Sequence, residues 1–422
     1  MSKGKRSRET AVGVAPLALL ILLAGGTGAF AADWPSFRGP NGDGISTETG
    51  LLDGWPANGP RIVWRKDLGE GYSGISFVDG RIYTMFGAKG DEYAVCLDAA
   101  GGEEVWRTRV GSKWVDTMGN GPRSTPTIDG DTVYVLGSKG NLHALAVADG
   151  KPRWSHDLEA DFGARLPRWG VSTSPLIEGD LLLLDVGGSG DGSIIAFNKK
   201  TGKEVWRSQS DHAGYSTPLA VTIGGIRQVL FFSARNLVSI SPADGSLLWR
   251  VAWKTSYDVN AAMPVFVAPD RVFISSGYDK GSLMLGVDAA DGKISTREIW
   301  RNREMKNHFS SSVLHDGRLY GFDDKTLKCI DAGTGELRWR KRGFGHGSLL
   351  LADDHLIVLG DHGQLALIEA VDSEYREKGR VQILDSKTWT MPTLAGGRLY
   401  LRDERELIAL DVTKGADPAR NN

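Results

Sequence analysis

Apolar residues in this chain come in short runs of about five that alternate or cluster tightly, each bounded by glycine, aspartate or threonine. Residues 132–136 and 141–145 are one such pair; Asp149 and Gly150 follow as a turn, and Pro152 to Trp154 close the unit. Residues 181–184, 193–197, the Thr201 and Gly202 turn, and Val205 with Trp206 repeat the order. Matching turns fall at Gly101–Gly102, Asp244–Gly245, Asp291–Gly292 and Thr334–Gly335. Runs of this length, rich in Val, Ile, Leu and Tyr and separated by such turns, predict short antiparallel strands. No convincing helical stripe at i, i+3, i+4 and i+7 interrupts them after the first thirty or so residues. The pattern predicts an all-β chain.

A longer period lies over the short one. Trp64, Trp106, Trp154, Trp206, Trp249, Trp300 and Trp339 are separated by 42, 48, 52, 43, 51 and 39 residues. A repeat of roughly 40–50 residues holding four strands predicts a propeller blade. Six complete blades end at the tryptophans from Trp106 to Trp339. A seventh, from about His346 to Leu384, lacks its tryptophan, and an eighth begins at Thr390 and stops after three strands. The strand at residues 62–64 is the natural donor of the missing fourth, which ties the chain ends together where fraying would begin. The expectation is an eight-bladed β-propeller of four-stranded blades, closed by an N-terminal strand; a seven-bladed ring would require the degenerate unit to be an insertion. At this recurring phase the tryptophans read as packing between blades.

The first residues have a different character. Lys3, Lys5, Arg6 and Arg8 precede an apolar run from Ala11 to about Ala24, and Ala29 and Ala31 place small residues where a signal peptidase reads. The domain reading is a signal peptide over 1–31, an extension over 32–60, the propeller over 61–412 and a polar tail over 413–422. The run is short for a membrane span, so no transmembrane segment is expected after cleavage, and the protein should be exported, periplasmic or secreted. No cysteine lies near the cleavage point to carry a lipid. Cleavage removes four positive charges and one negative, Glu9, and moves the net charge from −2 to −5. That balance speaks against general nucleic-acid binding. Cys96 and Cys329 share one repeat position in blades one and six, too far apart to bridge, and read as packed strand residues.

The run from Asp98 through Gly102 to Trp106, and from Asp331 through Gly335 to Trp339, with Ser/Thr-Pro leading each blade, resembles the pyrroloquinoline-quinone (PQQ) repeat. Quinoprotein alcohol dehydrogenases and the outer-membrane assembly factor BamB share it. The start at Asp33, Trp34, Pro35 and Arg38 resembles exported PQQ-like propellers. The resemblance implies a propeller whose first strand is innermost, and fold alone does not settle function.

Function should sit where the repeats diverge. Three residues before the Ser/Thr-Pro proline position lie Tyr72, Arg123, Ser172, Tyr215, Ala261, Phe309, His346 and Trp389; Asn260 and His308 precede two of them, and Arg168, Trp169 and His212 lie further upstream. If the first strand is innermost, these residues line one mouth of the channel and suit an anion, a sugar or an extended peptide. The competing reading is an aromatic plug that caps the ring. By resemblance a quinone site would need Ca²⁺, an aspartate base and a Cys-Cys disulfide. The mouth positions include no carboxylate and the chain has no adjacent cysteines, although Asp116, Asp211 and Asp258 lie in loops leading toward it. His212, His308 and His346 come from blades four, six and seven, too dispersed for a zinc site. No catalytic residue and no metal ligand is expected. The leading expectation is an exported non-catalytic module that binds an envelope or extracellular protein, peptide or glycan, in one version as an assembly scaffold. The alternative is a PQQ-dependent dehydrogenase with Ca²⁺.

Overall fold

The computed structural model describes Met1, Gly4 and residues 32–415, apart from 189, 191, 291 and 292. The expected signal peptide, apart from Met1 and Gly4, and the last residues of the expected tail lie outside the described residues. Strands form eight antiparallel four-stranded sheets. Blades 1 to 7 occupy residues 76–112, 127–157, 176–208, 219–252, 265–302, 313–342 and 348–382. The eighth joins Thr393–Ala395, Arg398–Arg402 and Glu406–Asp411 to Arg61–Asp67 from the other end of the chain. The innermost strands of blade 1 and blade 8 meet, so the ring is closed. Among the described residues one α-helical turn, Leu158–Phe162, escapes the all-β reading. It is too short to show a stripe, and it forms because the Asp157 carboxylate accepts from Glu159 N and Ala160 N, while Gly163 ends it at φ 65°.

Two repeating contacts join the blades. A Ser or Thr at the entry of a blade donates to a carbonyl at the entry of the next blade's innermost strand: Ser76 Oγ to Pro126 O (2.6 Å), Thr127 Oγ1 to Pro175 O (2.7 Å), Ser216 Oγ to Ala262 O (3.2 Å) and, across the seam, Thr393 Oγ1 to Ile75 O (2.8 Å). The tryptophans form the outer contact. Trp64, Trp106, Trp154, Trp206, Trp300 and Trp339 each donate an indole N–H to a carbonyl of the following blade at 2.7–3.1 Å. Trp249 instead donates to Gln228 in its own blade. Five of these rings lie against the turn glycine of the next blade. A Cβ on Gly102, Gly150, Gly202, Gly245 or Gly335 would sit 2.5–3.0 Å from the preceding tryptophan, and all five have φ between 69° and 80°. Glycine is therefore needed there twice, for the left-handed turn and for the ring on top of it.

Blade 7 shows how its lost tryptophan is compensated. Gly379 pairs with Leu367 in the register where Trp339 pairs with Cys329. A Cβ there would lie 2.7 Å from the Cβ of Trp55, which comes from the extension and is buried among Leu350, Ile357, Leu394 and Leu399 of blades 7 and 8. The two thiols are buried and free, and burial pushes them up to about 11 for Cys96 and about 12 for Cys329.

Burial grades the tryptophans. Trp106 is buried, whereas Trp206 is only half-buried. Trp106→Ala is expected to cost about 3–5 kcal/mol and Trp206→Ala distinctly less, read from urea midpoints at unchanged m-value. Equal losses would mean that the indole hydrogen bond, which both make, outweighs the buried area.

Candidate functional site

The extension organises the channel. Trp34 exchanges both backbone hydrogen bonds with Phe77 of blade 1 (2.8 Å each), and Ile128 N of blade 2 donates to Pro35 O at 2.8 Å. The chain then crosses the ring. Arg38 is 2% exposed, and its guanidinium donates to Gly42 O (3.1 Å), Asp43 O (2.6 Å) and Ser312 O of blade 6 (2.7 Å). Gly44 and Ser46 bond the two sides of Leu351 in blade 7, and Glu48 accepts from Gly396 N and Gly397 N in blade 8. Phe37 stands in the channel and lines cavities on both of its sides.

On one side of Phe37 opens the mouth, a cavity of about 220 Å³. Of the residues singled out from the repeats, Tyr72, Arg123, Trp169, Tyr215, His308, Phe309 and Trp389 line it, along with Ser172 and Ala261. Four others stand elsewhere. Asn260 is not a mouth residue: it is 0% exposed, donates to the Ser233, Ala234 and Trp253 carbonyls, and accepts from Ser276 Oγ. The repeat phase gave its height along the strand, but its side chain turns into the blade. His346 sits behind His308, with Nε2 2.8 Å from Asp324 Oδ1. Arg168 and His212 are exposed and outside the cavity wall; the Arg168 guanidinium lies 5.2 Å over Trp169 and 5.9 Å over Tyr257.

The mouth is a belt of rings. Centroid spacings of 5.0–6.3 Å link Tyr72, Trp389, Phe309, His308, Tyr278, Tyr257, Trp169 and Tyr215 in turn, with His346 behind His308. Arg123 lies between the two ends, with Tyr72 and Tyr215 among the groups that act on its charge, and donates to Gly119 O and Gly121 O at 2.7 Å. Burial draws the Arg123 pKa below its ordinary value and pushes Tyr215 up to about 12. Burial, then His346, lowers that of His308, which favours its neutral ring. Lys387 Nζ lies 4.4 Å over Trp389. Tyr257 and Tyr278, with Met118, Val259 and Met391 of the cavity wall, were not legible from the repeat phase. Tyr257 is 63% and Tyr278 40% exposed, and both hold left-handed backbone at φ 63° and 54°. Bulky residues rarely adopt that conformation; it costs free energy that packing elsewhere must offset.

The donor set does not fit a calcium-held quinone. Such a cation wants about six to eight oxygen ligands, and among the described residues no carboxylate lines the cavity. Asp258 pairs with Arg235, Asp211 is buried against Arg250 and Asn236, and Asp116 accepts from Met118 N. Among the described residues no group of three or more His, Cys, Asp or Glu is placed to hold a metal ion. The one guanidinium in the wall is already bound to carbonyls.

A family model described as "Outer membrane protein assembly factor BamB" matches residues 55–160, 91–341 and 323–417. The outer membrane protein assembly factor BamB of Burkholderia pseudomallei is 26% identical over 375 residues, covering 85% of this chain and 90% of that protein. BamB from Moraxella catarrhalis superposes with a TM-score of 0.57 at 16% identity, over 82% of this chain and 96% of that one. A quinohemoprotein alcohol dehydrogenase from Pseudomonas putida HK5 superposes with a TM-score of 0.66 at 12% identity, over 92% and 81%. At such identities the solved structures speak for the fold alone. The family model, in contrast, runs from Trp55 in the extension through all eight blades, and the chain belongs to the BamB family of PQQ-like repeat propellers.

Proposed function

We propose that this protein is an exported, non-catalytic scaffold in outer-membrane assembly, and that its channel mouth holds a segment of an envelope protein. The belt of eight rings carries the reading. Rings provide large contact area at low conformational cost, and Tyr257 and Tyr278 are held outward in a strained backbone where a simple plug would need no strain. Arg168 and Lys387 sit on ring faces at the rim and can each add a charge-assisted contact to a carbonyl or carboxylate of the bound segment. Membership of the BamB family supports assembly as the setting, and among the described residues no helix is long and apolar enough to cross a membrane. A dehydrogenase reading would need the donor set that the cavity wall lacks.

The test is the double variant Trp169→Ala, Tyr278→Ala. Each side chain is partly exposed, so the melting temperature should stay within a few degrees of the parent. In a strain lacking the gene, the parent should restore outer-membrane protein content and the double variant should not. Full restoration by a well-folded double variant would remove the mouth from the function. In parallel, adding PQQ with Ca²⁺ should leave the melting midpoint unchanged; a saturable rise requiring both would overturn the non-catalytic reading.

A further inference from the structure

The other side of Phe37 opens onto a second groove, of about 710 Å³, between the extension and the innermost strands of blades 2 to 6. Its walls explain what it can hold. In blade 1, Phe77 faces Ile82 across its hairpin, and both its N–H and its C=O go to Trp34. In blade 7, Leu351 faces Leu356, and its N–H and C=O go to Gly44 and Ser46. This register position is therefore one whose backbone groups point out of the blade, as alternate residues of an antiparallel pair do. In blades 3 to 6 the same position is occupied by Ile177, Ala220, Phe266 and Leu314. All four line the groove and are half-buried, whereas Phe77, Ile128 and Leu351 under the extension are buried. Among the described residues none of the four makes a backbone hydrogen bond outside its own sheet.

The extension thus fills this ring of strand edges on blades 1, 2 and 7 and leaves four consecutive edges open. From these open edges we infer a second binding site, separate from the mouth, which takes an extended apolar segment of a partner polypeptide by main-chain hydrogen bonding. Strand addition of this kind draws affinity from the backbone and selectivity from the side-chain walls. The walls ask for an uncharged segment, because the charged groups beside the groove are matched within the protein. Glu178 is held by Arg227 at 2.6–2.8 Å, Asp129 by Lys199 at 2.6 Å, and Asp43 accepts from Ile45 N at 3.0 Å. The extension is itself the precedent for the bound state, since it crosses from Phe77 to Ile128 with two consecutive residues, Trp34 and Pro35.

The probe is a short synthetic peptide of alternating valine and serine with blocked ends, compared with the same peptide N-methylated at alternate amides. Hydrogen exchange of the purified exported protein is followed by NMR. Without peptide the amides of Ile177, Ala220, Phe266 and Leu314 should exchange fast and that of Phe77 slowly. With peptide the four should gain roughly tenfold or more protection. Ile177→Pro removes one of these amides without touching the ladder of its own hairpin, and should weaken binding roughly fivefold to tenfold. Trp169→Ala, at the mouth, should leave peptide binding unchanged. Equal binding of the N-methylated peptide, or binding without protection of the four amides, would overturn the inference. Protection that instead grows with protein concentration in the absence of peptide would overturn it in favour of a second copy of the chain as occupant.

Discussion

Arg402→Ala should cost about 3–5 kcal/mol of folding free energy, although Arg402 touches no carboxylate and no ligand cavity. The residue ends the second strand of the closing blade and is 0% exposed. Its guanidinium crosses the seam into blade 1, where Nη1 donates to Met85 O at 2.6 Å, Thr84 Oγ1 at 3.1 Å and Ser73 O at 3.2 Å, and Nη2 reaches Gly69 O at 3.4 Å. Burial pulls its pKa down to about 9, against Asp403, which raises it, so it remains a cation at neutral pH. Truncation leaves carbonyls buried with no donor, at about 1–3 kcal/mol each, and opens a cavity in addition. Arg402→Met refills most of the volume and supplies no donor, so it should recover only a minor share. Full recovery by methionine would show that packing, and not the carbonyls, holds the seam. Since the bonds join the last blade to the first, the loss should also appear as faster amide exchange in Arg61–Asp67 and Glu406–Asp411, ahead of the other blades. Urea midpoints at constant m-value read the first effect and hydrogen exchange the second.

The ring closure that Arg402 secures was legible in the sequence because it rests on repetition. Trp64 without a preceding blade, and an eighth unit of three strands, leave one pairing that satisfies both ends. What the sequence hid is whatever stands outside the repeat. Trp55 has no phase relation to the other tryptophans, yet it takes over at blade 7 where Gly379 replaces one; only the fold brings residues 55 and 379 together. Arg38 and Phe37 are equally invisible, since a 29-residue extension gives no sign of crossing a ring.

At the mouth the limit was direction rather than position. The phase of the innermost strand placed Tyr72, Arg123, Tyr215, Phe309 and Trp389 at one height, and they converge there. The same rule included Asn260, whose amide turns inward to three carbonyls because an unsatisfied buried backbone would cost more than a lost surface contact. It omitted Tyr257 and Tyr278, which stand on connecting loops and reach the belt through left-handed backbone. A side chain's direction in a loop is set by torsions that a repeat pattern does not record.

Asp185→Asn should make the protein more stable at pH 8 and by a clearly smaller margin at pH 5. Asp185 ends a strand of blade 3 (Leu181–Asp185) and is 7% exposed. It accepts from Ser233 Oγ at 2.8 Å and from Gly187 N at 3.3 Å, and among the described residues no cation pairs with it; the neighbouring charge is that of Asp211, which Arg250 holds at 2.9 Å. Burial raises its pKa from 3.8 to about 7; the hydrogen bonds from Ser233 and Gly214 oppose the shift, and Asp211 adds to it. Between those two values the folded protein holds a proton that the unfolded chain has released. Its contribution to stability is therefore fully present below pH 3.8, falls as pH rises, and is gone above about pH 7. A gap of this size corresponds to on the order of 4 kcal/mol across the window. Asparagine keeps the acceptor for Ser233 and carries no charge to bury, so the variant should gain about 2–4 kcal/mol over the parent at pH 8. Urea unfolding of both proteins at pH 5, 6, 7 and 8 isolates the effect, since every other titrating group is common to the pair. A difference that stays constant with pH would mean that Asp185 is ionised in the fold throughout, held by Ser233 and the glycine amides more firmly than burial penalises it.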